Sequence, residues 1–199
     1  GFVVFDKTGT EVGARLVEPI GRRDLIARSD FVQRSLQGEV VVSVPFKGEV
    51  PLPDDKGVLR TGWPTMFASA PVRGADGSVI GVLAFRIRPE QSFTRVLEIS
   101  HFGTSGETFA FNSEGYLISA PRSKKRLREL GLISNDPDSI AILNVQLLEG
   151  NPASNPIADD TQNKKSSQFT KMAARALQKE AGMNTIGYLD YRGVLVVGA

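Results

Sequence analysis

The sequence predicts an α+β fold made of two units in series, each a central antiparallel sheet flanked by helices. Three observations carry that expectation. Phe2–Val12 reads FVVFDKTGTEV and Phe109–Ile118 reads FAFNSEGYLI. Each is an alternating aromatic-rich run, then Asp or Asn, two polar residues, a Gly and a second run. This is a hairpin pattern: alternation turns one side to a core, and the Gly supplies the positive φ of a tight turn. A second pattern recurs as well, since PVRGADGSVIGVLAF (71–85) and GYLDYRGVLVVGA (187–199) both lead from a Gly-containing turn into a valine-rich strand. Finally, 199 residues suit one large domain or two of about 100 residues. The expected division is a first unit over 1–88, a connecting helix over 89–101 and a second unit over 102–199.

The elements follow in order. Residues 2–16 form the first hairpin, turning at Lys7–Gly9. A helix is expected over 30–37, with Ser29 as N-cap, Phe31, Val32, Ser35 and Leu36 on one face, and Gly38 as the stop. Residues 39–46 predict a strand in which Pro45 marks an edge or an ending. A loop rich in Pro, Asp and Gly spans 47–64, and long loops of that kind are often functional. Strands over 65–72 and 79–87 are joined by the Ala75–Asp76–Gly77 turn. Pro89 opens a helix over 89–99, with Phe93, Val96 and Leu97 on one stripe. A short basic helix covers 123–130 and ends at Gly131. Residues 150–168 are polar and predict a surface loop or a disordered stretch. An amphipathic helix is expected over 168–181, with Phe169, Met172, Ala173, Ala176 and Leu177 at helical spacing, Phe169 and Met172 in the core, and Gly182 just past its end.

A hydrophobic fraction of 41% with 23% charged residues places the chain among globular proteins rather than disordered or fibrous ones. The net charge is only +2, from 24 basic and 22 acidic residues, so no nucleic-acid partner is expected. The basic cluster Lys124, Lys125, Arg126 and Arg128 has no interleaved aromatics and is a solvated helix face. The sequence contains no cysteine. That excludes disulfides, thiolate catalysis, Cys-ligated zinc, Fe–S clusters and a flavin photosensor working through a cysteinyl adduct. No apolar run approaches the roughly 18 residues of a membrane span, and the first residues lack the zones of a signal peptide. The sequence opens and stops on strands, so a longer parent polypeptide is expected.

Catalytic patterns fail one by one. His101 is the single imidazole, and no sequence neighbour orients it, so a structural role is expected. Gly103-Thr-Ser-Gly106 is followed by Glu107, which breaks the spacing of a nucleophile elbow. Gly57–Gly62 is followed by Trp63 and Pro64, where a phosphate loop needs Lys and Ser or Thr. Asp54-Asp55, Asp136/Asp138 and Asp159-Asp160 have no calcium-loop pattern and are expected in solvated turns. Neither an enzyme nor a bound cofactor is expected.

One constellation remains. Arg60, Trp63, Met66, Phe67 and Ser69 lie at the end of the long loop and the start of the next strand. An Arg can fork onto a carboxylate, an aromatic supplies a flat apolar wall, and a hydroxyl orients. Alternation puts Met66 and Ala68 on one face and Phe67 and Ser69 on the other, so only one set can face a pocket. Arg28 and Arg86 are further pocket candidates. The competing reading is that Trp63 and Phe67 fill core while Arg60 is solvated.

Four stretches resemble a known family. These are Phe2–Gly9, then MFASAPVRGADGSVIGVLAF (66–85), FGTSGETFAFNSEGYLISAPR (102–122), and 169–199, from FTKMAARAL to GYLDYRGVLVVGA. Together they are similar to the double Cache sensor domain, two tandem PAS-like modules of the type attached to kinases or nucleotide cyclases, including two-component systems. His101 stands where that family often has arginine, and Leu195 where it often has proline. The run Arg60-Thr-Gly-Trp63-Pro lacks the spacing and the tyrosine of the amino-acid-binding subgroup, so amino-acid specificity is not carried over. The resemblance implies a membrane-distal module at 1–88 whose long loop and sheet enclose a cavity, and a membrane-proximal module at 102–199 whose last strands fall outside this sequence. It implies an extracytoplasmic, periplasmic location in an inner-membrane receptor anchored through flanking segments. A homodimer and a small-molecule ligand (a carboxylate, an amino acid or an amine) are the implied partners. The alternative is a structural or dimerisation spacer with no ligand of its own.

Overall fold

The computed structural model describes residues 1–15, 20–23, 29–54, 56–99, 103, 105–149 and 168–199. Two compact units divide the chain, Gly1–Ser92 and Phe93–Ala199.

Among its described residues the first unit has a six-stranded antiparallel sheet carrying one helix, and a separate two-stranded hairpin. β1 (Phe2–Asp6) and β2 (Glu11–Ala14) form the opening hairpin. Gly9, at φ 82°, completes the turn, while Asp6 Oδ1 accepts from the N–H groups of Thr8 and Thr10. α1 (Asp30–Leu36) follows, then the short strands β3 (Val41–Val42) and β4 (Phe46–Lys47). The long strands are β7 (Pro64–Arg73) and β8 (Val79–Ile87). The strand order is β2-β1-β8-β7-β3, with β4 also paired to β7.

The strand expected over 39–46 is therefore broken. Ser43 explains the break: its N–H donates to Phe67 O at 2.8 Å and its Oγ accepts from Phe67 N–H at 2.9 Å. Pro45 has no N–H to offer a ladder. The segment 47–64 also holds more than a loop, since β5 (Leu52–Pro53) and β6 (Leu59–Arg60) pair as a small hairpin.

Register decides which side chains face α1. Val3 stands opposite Ala84, Phe5 opposite Val82 and Phe67 opposite Arg86. Period-two alternation then puts Val82, Ala84 and Arg86 on one face of β8, with Thr65, Phe67 and Ser69 beside them on β7. Phe31 and Val32 of α1 close over this face and join Val3, Phe5, Val41, Val82 and Ala84 in one core.

A bulge adds one further inward group. Val4 pairs with Gly13, but Phe5 pairs with Glu11, so Val12 is the extra residue. Val12 is pushed out to 52% exposure, and Glu11 comes in to 3%. Without the bulge the two would exchange faces.

The second unit contains α2 (Phe93–Glu98), α3 (Lys124–Glu129), α4 (Lys171–Leu177) and one two-stranded sheet, β9 (Asn184–Leu189) with β10 (Leu195–Gly198). A central sheet was expected here. Among the described residues this unit has that hairpin and isolated bridges, including Phe111 with Leu117. The turn of 109–118 is as expected: Gly115 sits at φ 77°, and a side chain there would collide with the Phe169 ring. Leu117, Leu127, Leu147, Ala173 and Tyr191 are buried in this unit's core.

Two helices differ from expectation in their boundaries. Pro89 lies in a turn, where Arg88 O accepts from both Gln91 and Ser92 N–H, so helix begins only at Phe93. The last helix is shorter at both ends. Gln168 to Thr170 run extended, bonding to Glu149 and Leu147, and Leu177 closes the helix. Lys179, at φ 63°, takes the left-handed position expected of Gly182. Residues 150–167, Arg28, Asp55 and His101 lie outside the described residues.

Candidate functional site

The α1 side of the first unit's sheet carries a cavity of about 460 Å³. That falls within the roughly 300–1,000 Å³ of small-molecule sites. Its apolar wall is aromatic: Phe5, Phe31, Phe46 and Phe67 all line it. Phe31 and Phe67 stack with ring centroids 5.2 Å apart and an 8° tilt. Phe46 leans on both, at 6.2 and 6.1 Å. Leu52, Pro53 and Leu59 of the β5–β6 hairpin add a further apolar side.

The wall also carries polar residues: Glu11, Arg15, Ser29, Lys47, Glu49, Thr65 and Arg86. Arg86 is half-buried on β8. Its Nε donates to Thr65 Oγ1 at 3.1 Å, and its Nη1 to Pro53 O at 3.3 Å. Its Nη2 is buried, with no hydrogen-bond acceptor among the described residues. Burial pulls the Arg86 pKa below its ordinary value, as does the nearby Arg88, while Glu90 opposes both. Thr65, fully buried, presents its hydroxyl beside the guanidinium. Glu11 lines the cavity from β2, and burial pushes its carboxyl up to about 7, with Arg22 drawing it back down.

The sequence-derived candidates separate. Phe67 and Arg86 line the cavity, whereas Arg60, Trp63, Met66 and Ser69 do not. Met66 is buried at 5% exposure on the other face of β7. Ser69 is also buried and meets Ser35 of α1, its Oγ 2.8 Å from the Ser35 Oγ.

Arg60 donates from Nε to Asp54 Oδ2 at 2.8 Å, and its guanidinium lies 5.4 Å from the Trp63 ring centre. Asp54 is thus no solvated turn residue. It is 8% exposed, and its Oδ1 accepts from the N–H groups of Lys56 and Val58. Those bonds, with Arg60 foremost, hold its carboxyl below the usual range. The pair closes the β5–β6 hairpin that forms one side of the cavity.

Sequence reading missed Glu11, Thr65, Phe31 and Phe46 as cavity residues. Alternation from Phe67 would have found Thr65, two positions back on the same strand face. Glu11 is inward only because of the bulge, and Phe31 and Phe46 converge through tertiary contacts.

The second unit holds a buried ion cluster. Arg192 bridges Glu107, at 3.0 Å, and Asp190, at 2.6 Å, with both carboxylates shielded from solvent. Tyr191 packs edge-on against Phe109 at 5.8 Å. Among the described residues there is no cluster of His, Asp and Glu that could hold a metal, and no helix long and apolar enough to cross a membrane.

No protein-family model and no curated protein matches the chain. Among solved structures, a light-oxygen-voltage domain studied with a flavin analogue aligns with 50% of this chain and 84% of its own, at 15% identity and a TM-score of 0.31. The architecture itself is mixed α+β with antiparallel sheets.

Proposed function

We propose that the first unit is a sensor module that binds a small molecule on the α1 face of its sheet. The observation that carries this reading is the cavity itself, which pairs an aromatic wall with the half-buried guanidinium of Arg86, whose Nη2 is buried and has no acceptor among the described residues. A buried charged donor without a partner is costly in a purely structural role, and a bound anion or carbonyl removes the cost. The chain is read as the extracytoplasmic region of a double-Cache-type receptor, supported by the sequence resemblance of 102–122 and 169–199. Its role is binding and relay rather than turnover. Ligand contacts with α1, β7 and the β5–β6 hairpin would favour one arrangement of these elements over another and so shift a population. The second unit, with Leu117, Leu127, Leu147 and Tyr191 fully buried, is assigned a mechanical part.

A thermal-shift screen of the 199-residue chain against carboxylates, amines, amino acids and neutral metabolites tests this reading. Stabilising compounds are expected, and they should shift the NMR signals of Phe31, Phe67 and Arg86. A broad screen without any binder, or binders that leave those signals unmoved, would overturn it.

A further inference from the structure

We infer that the cavity's ligand is a monocarboxylate carried on a flat aromatic body, its carboxylate on Arg86 and its ring on the phenylalanine wall. This rests on the reading of the cavity as a binding site.

Anchor and wall are adjacent by construction. Arg86 and Phe67 are direct cross-strand partners, on the same face of β8 and β7. Directly opposed residues have Cβ atoms about 4.5–5.5 Å apart. A carboxylate within a few bonds of a ring therefore reaches both. Arg86 is also held in place, because Thr65 Oγ1 and Pro53 O fix two of its nitrogens and leave Nη2 as the buried donor. A guanidinium suits a carboxylate because the hydrogen bond is charge-assisted and the fork matches the two oxygens.

The wall chooses the body of the ligand. Phe31 and Phe67 are nearly parallel, and Phe46 is inclined to each by 25°. Phe46 and Phe67 are only partly buried within the core, so ring surface remains for an offset-stacked guest.

Charge placement argues against an α-amino acid held on Arg86 and Glu11 together. Glu11 lies opposite Phe5, which lies opposite Val82, four positions before Arg86 on β8. At about 3.3 Å per residue this is roughly 13 Å along the strand alone. An α-ammonium cannot reach Glu11 while its own carboxylate sits on Arg86. Glu49 also lines the cavity, but it is exposed.

The test uses the 199-residue chain with phenylacetate, benzoate, phenylacetamide, phenethylamine and propionate, by calorimetry and NMR. Phenylacetate or benzoate should bind and shift the Phe31, Phe67 and Arg86 signals. Phenylacetamide, phenethylamine and propionate should each bind more than tenfold more weakly. R86M should abolish aromatic-acid binding, and R86K, which keeps a charge without the fork, should weaken it about tenfold or more. Should R86M fail to fold, the acid-against-amide comparison on the unmodified chain decides. Equal binding of the amide or amine, or unchanged affinity in folded R86M, would overturn the inference. Binding of some other class alone would overturn it too, leaving the cavity a ligand site. If nothing in the broad screen binds, the cavity reading itself fails.

Discussion

The hydroxyls of Ser35 and Ser69 lie 2.8 Å apart, both shut away from water, and they join the inner face of α1 to β7. Ser69 Oγ also lies 3.5 Å from Phe31 O and 3.4 Å from Val41 O. The bond seats the helix whose Phe31 forms part of the cavity wall. Ser69 thus supports the cavity from behind rather than facing a ligand.

Ser69→Ala strands the Ser35 hydroxyl in an apolar setting. It should destabilise the first unit by roughly 1–3 kcal/mol. The double change Ser35→Ala with Ser69→Ala should cost less than the sum of the singles, because neither partner is then left unpaired. Urea unfolding of the four chains measures this. Additive losses would show that the hydroxyls do not depend on one another.

Glu11 ties stability to pH. Its carboxyl ordinarily titrates at 4.5 and is pushed up to about 7 in the fold. Between those values the folded chain holds the proton and the unfolded chain has released it. Stability is therefore greatest below 4.5 as far as this group is concerned, and it declines as pH rises through 7. The loss approaches roughly 3 kcal/mol. Glu11→Gln should flatten this part of the profile and leave the chain more stable than the parent at about pH 8. A steeper decline in the variant would contradict the assignment.

In the second unit, Arg192 is the shared cation of two shielded carboxylates. Arg192→Ala leaves Glu107 and Asp190 facing each other's charge without compensation, their side chains 4% and 7% exposed. The expected loss is about 3–5 kcal/mol. The methyl signals of Leu117 and Leu127 should report unfolding of this core at lower denaturant. Arg192→Lys should lie between, since one ammonium replaces the fork poorly. A variant as stable as the parent would show the cluster to be energetically neutral.

Lys179 offers the opposite sign. Its φ of 63° lies in the left-handed region, and Glu180 N–H reaches back to Arg175 O. Glycine accepts that conformation without the side-chain clash. Lys179→Gly should stabilise the end of α4 by roughly 1 kcal/mol. Slower amide exchange across Lys171–Leu177 is the readout. Faster exchange would mean that the lysine side chain contributes more than its backbone costs.

Local pattern determined much of this protein. Alternation in Val79–Ile87 put Arg86 on the same side as Val82 and Ala84, and that strand runs over the residues expected. Asp6–Gly9 and Asn112–Gly115 announced their turns, because the leading Asp or Asn accepts from backbone N–H groups ahead of it and the glycine takes the positive φ. Gly131, at φ 67°, marked the end of the short basic helix for a like reason. Tertiary structure decided the rest. The bulge that turns Glu11 inward depends on how β1 settles between β2 and β8. The break at Ser43 depends on Phe67, 24 positions away. Asp54 is buried rather than solvated because Arg60 folds back onto it across a hairpin too short to show a period. Phe31, Phe46 and Phe67 come from a helix, an edge strand and a long strand, and nothing in their spacing says that they meet. A periodic signal reports which face a residue takes within its own element. Which faces enclose a cavity is set by pairing and packing between distant segments, and no local pattern encodes that.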